Sequence, residues 1–397
     1  MTATDQAADP LIFLIAGEPS GDQLGARLMA ELKAETGGRV RFTGVGGDRM
    51  RAEGLDSLYP MSELSVMGLA EIVPHLTRIL RRMRQTVAAV RAARPAAVVT
   101  IDSPSFTLRV MRKLADIGCP RIHYVAPQVW AWKPWRARAM AGYLDHLLAL
   151  LPFEPPIFQR HGLKTSFIGH PVVETAGQTF DADGFRRAQM IPAQAPLVCL
   201  LPGSRAGEVK RLLPVFEETV SLLAERLPDL HVVLPTVAGV DHRVRRATRA
   251  WPVPVAVVTG AENRYAAFAA SDAAIAASGT VAVELAVAQV PAVIAYRVNR
   301  LTAFLARRLI RVRYVSLPNL VMDRAIQPEL LQQDCTPDKL ADALRPLLDD
   351  AARRDAYVAA CREAAGALGA FGEPPSRKAA RIVLREIAQP AEQESAA

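Results

Sequence analysis

One unit recurs along this chain and restricts its fold more than any other feature: a short apolar run, a turn bearing glycine or proline, then a helix-compatible stretch. Leu11–Ala16 is such a run, and it feeds Gly17-Glu18-Pro19-Ser20-Gly21-Asp22, after which residues 23–36 read as a helix. Residues 40–45 end in Gly44-Val45-Gly46-Gly47-Asp48, residues 98–101 in Asp102-Ser103-Pro104, and residues 121–125 in Ala126-Pro127-Gln128. After Gly169-His170-Pro171 the pattern restarts: residues 197–201 run into Pro202-Gly203-Ser204-Arg205 and a helix over 208–227. Further strands are expected over 230–235, 253–258, 273–277 and 292–296, and helices over 338–368 and 377–387, with an unstructured tail from Gln389. Short apolar runs without alternation suit strands buried on both faces. Strand, loop and helix in repetition build a parallel sheet whose loops collect at its C-terminal edge, where ligands bind. Two such series predict an α/β protein with two Rossmann-like parallel sheets in tandem. A hinge is expected near residues 170–180, with the active site in the cleft between the sheets.

The 397 residues leave room for two domains with full cores. No run of roughly 18 uncharged apolar residues occurs, so no transmembrane helix is expected. The polar, acidic residues 1–10 do not read as a signal peptide. Cys119, Cys199, Cys335 and Cys361 are scattered, without CxxC or histidine at ligand spacing, which points to a reducing compartment and away from zinc. These features place the chain in the cytoplasm.

The net charge of +8 is unevenly placed. Between Glu71 and Asp102 there is no acid but six arginines, and between Glu284 and Asp323 again no acid and six arginines. Those twelve exceed the net charge, so the rest of the chain is net acidic. In the first patch Leu69, Ile72, Val73, Leu76, Ile79, Leu80 and Met83 recur at helical spacing, flanked by Arg78, Arg81, Arg82 and Arg84. Pro74 is expected to break this helix or begin its longer half. The second patch sets Leu301, Phe304, Leu305, Leu309 and Val312 against Arg300, Arg307, Arg308 and Arg311. An apolar stripe packed on a sheet beneath solvated arginines accounts for either helix alone. Two of them, both purged of acids, favour an anionic membrane surface. Leu69, Ile72, Leu76, Arg78, Arg81, Arg82, Phe304, Arg307, Arg308 and Arg311 are the expected membrane-facing residues. Nucleic acid is the competing partner, but the arginines alternate with aliphatic rather than aromatic residues and no Lys-rich arm accompanies them, so none is expected.

Three places could carry chemistry. Ser278-Gly279-Thr280 joins the run 273–277 to a helix over 280–288 that stops before Pro291. Such a turn presents free N–H groups and a partial positive charge, suited to a diphosphate, and Glu284 falls within reach of an attached ribose. An ordinary turn with a solvated Glu284 is the plainer alternative, and this stretch alone leaves the two even. In Pro202-Gly203-Ser204-Arg205 a strand again meets a helix N-terminus, and Arg205 could neutralise a leaving diphosphate. Asp102, just after a strand, could accept a proton from an attacking hydroxyl, or could simply cap the next helix. Without further context the cap is slightly favoured. His123 and His170 stand alone and suit structural roles. No Asp-x-Asp pair appears in these loops, so a metal-held diphosphate is not expected; no cofactor is expected either.

A set of stretches then carries a resemblance: Ala16-Gly17-Glu18-Pro19-Ser20-Gly21-Asp22, Gly44-Val45-Gly46-Gly47, Ser65-Val66-Met67-Gly68-Leu69-Ala70-Glu71 and Ile101-Asp102-Ser103-Pro104-Ser105-Phe106. His123-Tyr124-Val125-Ala126-Pro127-Gln128-Val129-Trp130-Ala131-Trp132, Leu151-Pro152-Phe153-Glu154, Phe167-Ile168-Gly169-His170-Pro171, Leu201-Pro202-Gly203-Ser204-Arg205, Ser278-Gly279-Thr280 and Ser316-Leu317-Pro318-Asn319-Leu320 follow in order. Together they resemble the lipid-A-disaccharide synthase family of membrane-associated glycosyltransferases, over nearly the whole chain. The string through Trp130 and Trp132 is highly specific, whereas Gly-Ser-Arg alone is weak.

The resemblance implies a GT-B architecture: residues 1–173 as an acceptor domain, 174–368 as a UDP-sugar domain, and 369–397 as a helix crossing back to the first, plus a tail. It implies transfer of 2,3-diacylglucosamine from UDP to the 6-hydroxyl of 2,3-diacylglucosamine 1-phosphate, at the inner face of the cytoplasmic membrane. Asp102 would be the general base or an essential acceptor contact. Arg205, Ser204, Ser278, Thr280, Glu284 and Asn319 would hold UDP beside the turn glycines Gly203 and Gly279, and Glu18 and Ser20 would face the sugars. Ser105 stands where many relatives carry a second Asp, so Asp102 would act alone. A homodimer through the C-terminal part is a further expectation from the family. The rival readings are a UDP-sugar epimerase of the same architecture and a non-enzymatic peripheral lipid-binding protein.

Overall fold

The computed structural model describes residues 9–64, 69–132, 135–176, 178–277, 279–299 and 312–389, without side chains at 69–76 and 131–132. Ser278, Phe304, Arg307, Arg308 and Arg311, the side chains of Leu69, Ile72 and Leu76, and the tail beyond Gln389 lie outside the described residues. The chain divides into two compact units, Met1–Pro171 with Glu373–Ala397, and Val172–Gly372.

The first unit is built on seven parallel strands: β1 Leu11–Ala16, β2 Arg41–Val45, β3 Asp56–Ser57, β4 Ala97–Ile101, β5 Arg121–Tyr124, β6 His146–Ala149 and β7 Lys164–Phe167. Their order is β3-β2-β1-β4-β5-β6-β7, so the winding reverses between β1 and β4. Leu14 of β1 lies opposite Gly44 on one side and Val99 on the other. Every residue of β4 is buried, as a central strand covered by helices on both faces must be. The helix Pro19–Thr36 begins four residues before the expected start, because Pro19 supplies a pre-set φ where no N–H is needed. It ends at Gly37 in the left-handed conformation (φ 61°). Its Leu28 and Leu32 are fully buried, each worth about 1.5–3 kcal/mol.

The closing helix Pro375–Ala388 lies on that first helix. Ala379, Ala380 and Val383 are fully buried beneath it. Arg377 and Arg381 reach Glu31 and Glu35 at 2.9 and 3.1 Å. These ion pairs are exposed and screened by solvent, so apolar burial does most of the holding. Deeper in, the Glu386 carboxylate accepts hydrogen bonds from Lys164 Nζ (2.6 Å) and His146 Nδ1 (3.0 Å), fixing the helix to β6 and β7.

The second unit has six parallel strands: β8 Leu197–Leu201, β9 His231–Thr236, β10 Val255–Thr259, β11 Ala273–Ala277, β12 Ala292–Tyr296 and β13 Glu329–Leu331. Their order, β10-β9-β8-β11-β12-β13, reverses between β8 and β11. Val198, Leu200, Val209, Leu212 and Phe216 anchor its core.

Several expectations change. β6, though fully buried, is short and opens on a histidine, and β7 and β13 carry lysine, threonine or glutamate at partly exposed positions, which hid them from the apolar-run criterion. Residues 338–368 form two helices, Pro337–Asp349 and Ala351–Ala367, because the Asp350 carboxylate accepts the Arg353 N–H (3.1 Å) and caps the second. Leu69–Ala93 is one helix with Pro74 inside it. Over its described part it turns Met83, Thr86 and Val90 inward and leaves Arg81 and Arg84 exposed.

Candidate active site

In the second unit, the loops after β8, β9, β10 and β11 enclose a cavity of about 700 Å³ at the reversal of the winding. Three helices start on its rim: Ala206–Ala224, Ala261–Ala270 and Thr280–Val287. Each is preceded by a turn glycine with positive φ, at 105° for Gly203, 91° for Gly260 and 142° for Gly279. A Cβ on Gly203 would stand 2.4 Å from Glu208 Oε2, so only glycine fits that turn. Glu208 reaches back to accept the Arg205 N–H at 3.2 Å and pins the turn. Ser204, Arg205, Gly279 and Thr280 all line the cavity and are exposed to it. Three helix N-termini around one space make an anion cradle of backbone N–H groups. Arg205 adds an exposed cation, in contact with Glu208 at 3.3 Å.

Glu284 forms the floor. Its carboxyl is nearly buried and pairs with Arg264 Nη2 at 3.1 Å. Burial pushes its pKa up; the Arg264 charge and a hydrogen bond from Tyr265 oppose the shift. Oε2 of Glu284, Nε of Arg264 and Oγ1 of Thr236 are buried without a hydrogen-bond partner among the described residues, and all three residues line this cavity. Unpaired buried polar atoms are costly and uncommon, so their concentration here marks a place for a polar ligand. An acceptor oxygen, a guanidinium and a hydroxyl suit the hydroxyls and carbonyls of a nucleoside. The plainer alternative of a solvated Glu284 is thereby removed, since the side chain is 10 % exposed.

A second recess, of about 290 Å³, lies in the first unit beside the reversal between β1 and β4. It is lined by Asp102, Pro104, Val125, Ala126, Pro127, Gln128, Val129 and Arg136. Asp102 Oδ2 accepts the Ser20 hydroxyl at 2.8 Å, and Oδ1 accepts the Ser103 N–H at 2.8 Å. Asp102, Ser103 and Val125 all have positive φ (52°, 47° and 83°). For a β-branched residue such as Val125 that is a strained conformation, and such strain gathers at functional sites. The expected strand over 121–125 therefore stops at Tyr124. The cap reading of Asp102 is corrected here: the helix Thr107–Lys113 starts after Phe106, and the Asp102 carboxylate does not cap it.

The wall of this recess has its own buttress. Trp130 Nε1 donates to Glu154 Oε1 (3.2 Å), and the Leu150 and Leu151 N–H groups donate to Oε2 (3.2 and 3.0 Å). The Phe153 ring meets Trp130 edge-on at 5.3 Å. Glu154 is 2 % exposed, and burial pushes its carboxyl up to about 7. The highly specific string through Trp130 thus meets the string Leu151-Pro152-Phe153-Glu154 in one contact.

Of the other expected site residues, Glu18 and Ser20 open the helix Pro19–Thr36 at the end of β1. Asn319 is corrected. It is fully buried, and its amide is consumed by the backbone of Ile326 and Gln327 and by Glu329, so it shapes a turn instead of touching a ligand. Arg82 is corrected too. It forms a forked pair with Glu63 (Nε to Oε2 2.8 Å) and lies 4.6 Å over the Tyr59 ring, so it does not face outward. Arg78 is half-buried with its Nε covered, while Arg81 is exposed. Arg264, Thr236, Gly260, Glu208 and Arg136 were not expected. Gly260, between a strand and a helix, carried the same signal as Gly203 and Gly279. Arg264 carried none, because its partner is defined only by the sheet order.

Two doubly wound parallel sheets, each with a cavity at its switch point, give the chain the GT-B fold. Solved structures agree on the fold. The glycotransferase of kitacinnamycin matches with a TM-score of 0.64 at 19 % identity, covering 95 % of this chain and 99 % of that one. A Staphylococcus aureus MnaA–UDP co-structure matches with a TM-score of 0.62 at 13 % identity, covering 96 % and 98 %. The sequence relatives are more specific. A family profile described as lipid-A-disaccharide synthetase matches residues 12–381. The lipid-A-disaccharide synthase of Rhodospirillum centenum is 54 % identical, covering 95 % of this chain and 94 % of that protein. That of Paramagnetospirillum magneticum is 52 % identical, covering 96 % and 99 %. The chain belongs to the lipid-A-disaccharide synthase family.

Proposed function

We propose that this protein transfers a 2,3-diacylglucosamine residue from UDP to the 6-hydroxyl of 2,3-diacylglucosamine 1-phosphate, giving the lipid A disaccharide 1-phosphate and UDP. Family membership makes it a glycosyltransferase of lipid A biosynthesis, acting on a UDP-sugar donor and a sugar-phosphate acceptor. The epimerase and non-enzymatic readings are not favoured: epimerases share only the fold, at 13 % identity or less.

The observation that carries the donor assignment is the cavity of the second unit, where three glycine turns start helices around the unpartnered oxygen of Glu284. In this reading the helix N-termini and Arg205 hold the diphosphate and stabilise the charge that develops as UDP leaves. Glu284, oriented by Arg264, accepts a ribose hydroxyl. Asp102 takes the proton of the attacking acceptor hydroxyl, with Ser20 and the Ser103 N–H fixing its carboxylate. Displacement in one step inverts the anomeric carbon. Among the described residues no helix is long and apolar enough to cross a membrane. The basic helix Leu69–Ala93, through Arg81 and Arg84, is our candidate for contact with anionic lipid from which both acylated substrates would come.

The test is turnover of the UDP-diacyl sugar with the acyl sugar phosphate, read as UDP and disaccharide. Asp102→Asn should lower kcat by at least about a hundredfold while UDP still binds. Near-normal turnover would remove Asp102 from the mechanism.

A further inference from the structure

Arg136 is the second charged residue on the Asp102 recess. It sits on the helix Trp135–Ala141, whose Ala137 and Met140 are buried in the core, so its Cα is held in place. The segment before it is anchored through Trp130 on Glu154. Arg136 itself is half-buried.

Three arginines of this unit that are tied into the fold each have a carboxylate partner. Arg82 pairs with Glu63, Arg91 with Asp116, and Arg121 with Asp145. No carboxylate pairs with Arg136 among the described residues. The carboxylate that shares its recess, Asp102, is occupied by Ser20 and the Ser103 N–H. A guanidinium set into a recess loses part of its hydration, and an anion of a ligand can replace what is lost. Its flat fork of donors matches two oxygens of a phosphate. The recess is at the small end of ligand sites, sized for one sugar ring with its substituent.

We propose that Arg136 seats the phosphate of the sugar-phosphate acceptor and so turns the far hydroxyl of that sugar toward Asp102. The assignment rests on the reading of this recess as the acceptor site. It makes Arg136 a specificity residue: it selects a phosphorylated acceptor over the free sugar.

The experiment compares two acceptors, the 1-phosphate and the same acyl sugar with a 1-O-methyl group, using wild type, Arg136→Ala and Arg136→Lys. Wild type should prefer the phosphate in kcat/KM by roughly tenfold to a hundredfold, the worth of a charge-assisted hydrogen-bonded pair. In Arg136→Ala that ratio should collapse toward one, with acceptor KM raised and donor KM held. Arg136→Lys, which keeps the charge without the fork, should restore part of the preference and serves if the alanine variant folds poorly. Equal losses on both acceptors, or a rise confined to donor KM, would overturn the proposal; the latter would place Arg136 on the donor diphosphate. Asp102→Asn separates the two claims, since it should slow both acceptors without changing their ratio. Full activity of that variant would sink the base assignment, while the ratio would still report on Arg136.

Discussion

Replacing Glu154 by Gln should flatten part of the pH dependence of stability. Glu154 is 2 % exposed, and burial lifts its carboxyl from 4.5 to about 7 against the pull of the Leu151, Trp130 and Leu150 donors. Below the ordinary value both folded and unfolded chains hold the proton, and the protonated, buried form contributes fully. As pH rises from 4.5 toward 7 the unfolded chain ionises first, so stability is lost, and above 7 the loss is complete. The span corresponds to about 3 kcal/mol, a large share of a stability of roughly 5–15 kcal/mol. The assay is urea unfolding at pH values from 4.5 to 8 for wild type and Glu154→Gln, followed by tryptophan fluorescence and scored on the transition of the first unit. Other titrating groups, His123 and His170 among them, act in both proteins and cancel in the difference. Wild type should lose about 3 kcal/mol more than the variant across that range. Parallel curves would refute the argument, showing either that Glu154 is ionised throughout or that water reaches it. Turnover should fall in the variant as well, because the Trp130 side of the acceptor recess loses an anchor.

Two other perturbations follow from the same geometry. Gly203→Ala places a Cβ 2.4 Å from Glu208 Oε2 at φ 105°, which should destabilise the second unit by about 1–3 kcal/mol and weaken UDP binding. An unchanged melting temperature and an unchanged UDP titration by calorimetry would contradict the rigid-turn account. Arg81→Glu with Arg84→Glu should release the protein from anionic vesicles by more than roughly tenfold in a sedimentation assay, at about 1 kcal/mol per basic residue. Arg82→Glu should instead destabilise the first unit through its Glu63 partner, and equal sedimentation of wild type and the double variant would remove this helix from the membrane reading.

Much of the scaffold is written locally. Strands β1, β8, β11 and β12 were bounded correctly because a strand covered on both faces must be apolar throughout, and that pattern needs no knowledge of its neighbours. The turns at Gly203 and Gly279 were legible for the same reason: a positive φ at a strand–helix junction is a property of one residue. The edge strand Glu329–Leu331 escaped because half-burial let a glutamate into it and removed the apolar signature, whereas the edge strand Val255–Thr259 kept its apolar residues and was legible.

What folding alone decided is which distant groups meet. Ser20 reaches Asp102 across 82 residues because the winding reverses between the strands that precede them. Arg264 meets Glu284, and Glu154 meets Trp130, through strand order that no local periodicity encodes. The same holds for the two misread side chains. Asn319 looks like a polar ligand contact until the 326–329 turn closes on it, and Arg82 looks like a surface cation until Glu63 arrives beside it. A residue type states what bonds are possible; the packing of the chain determines whether protein or ligand makes them.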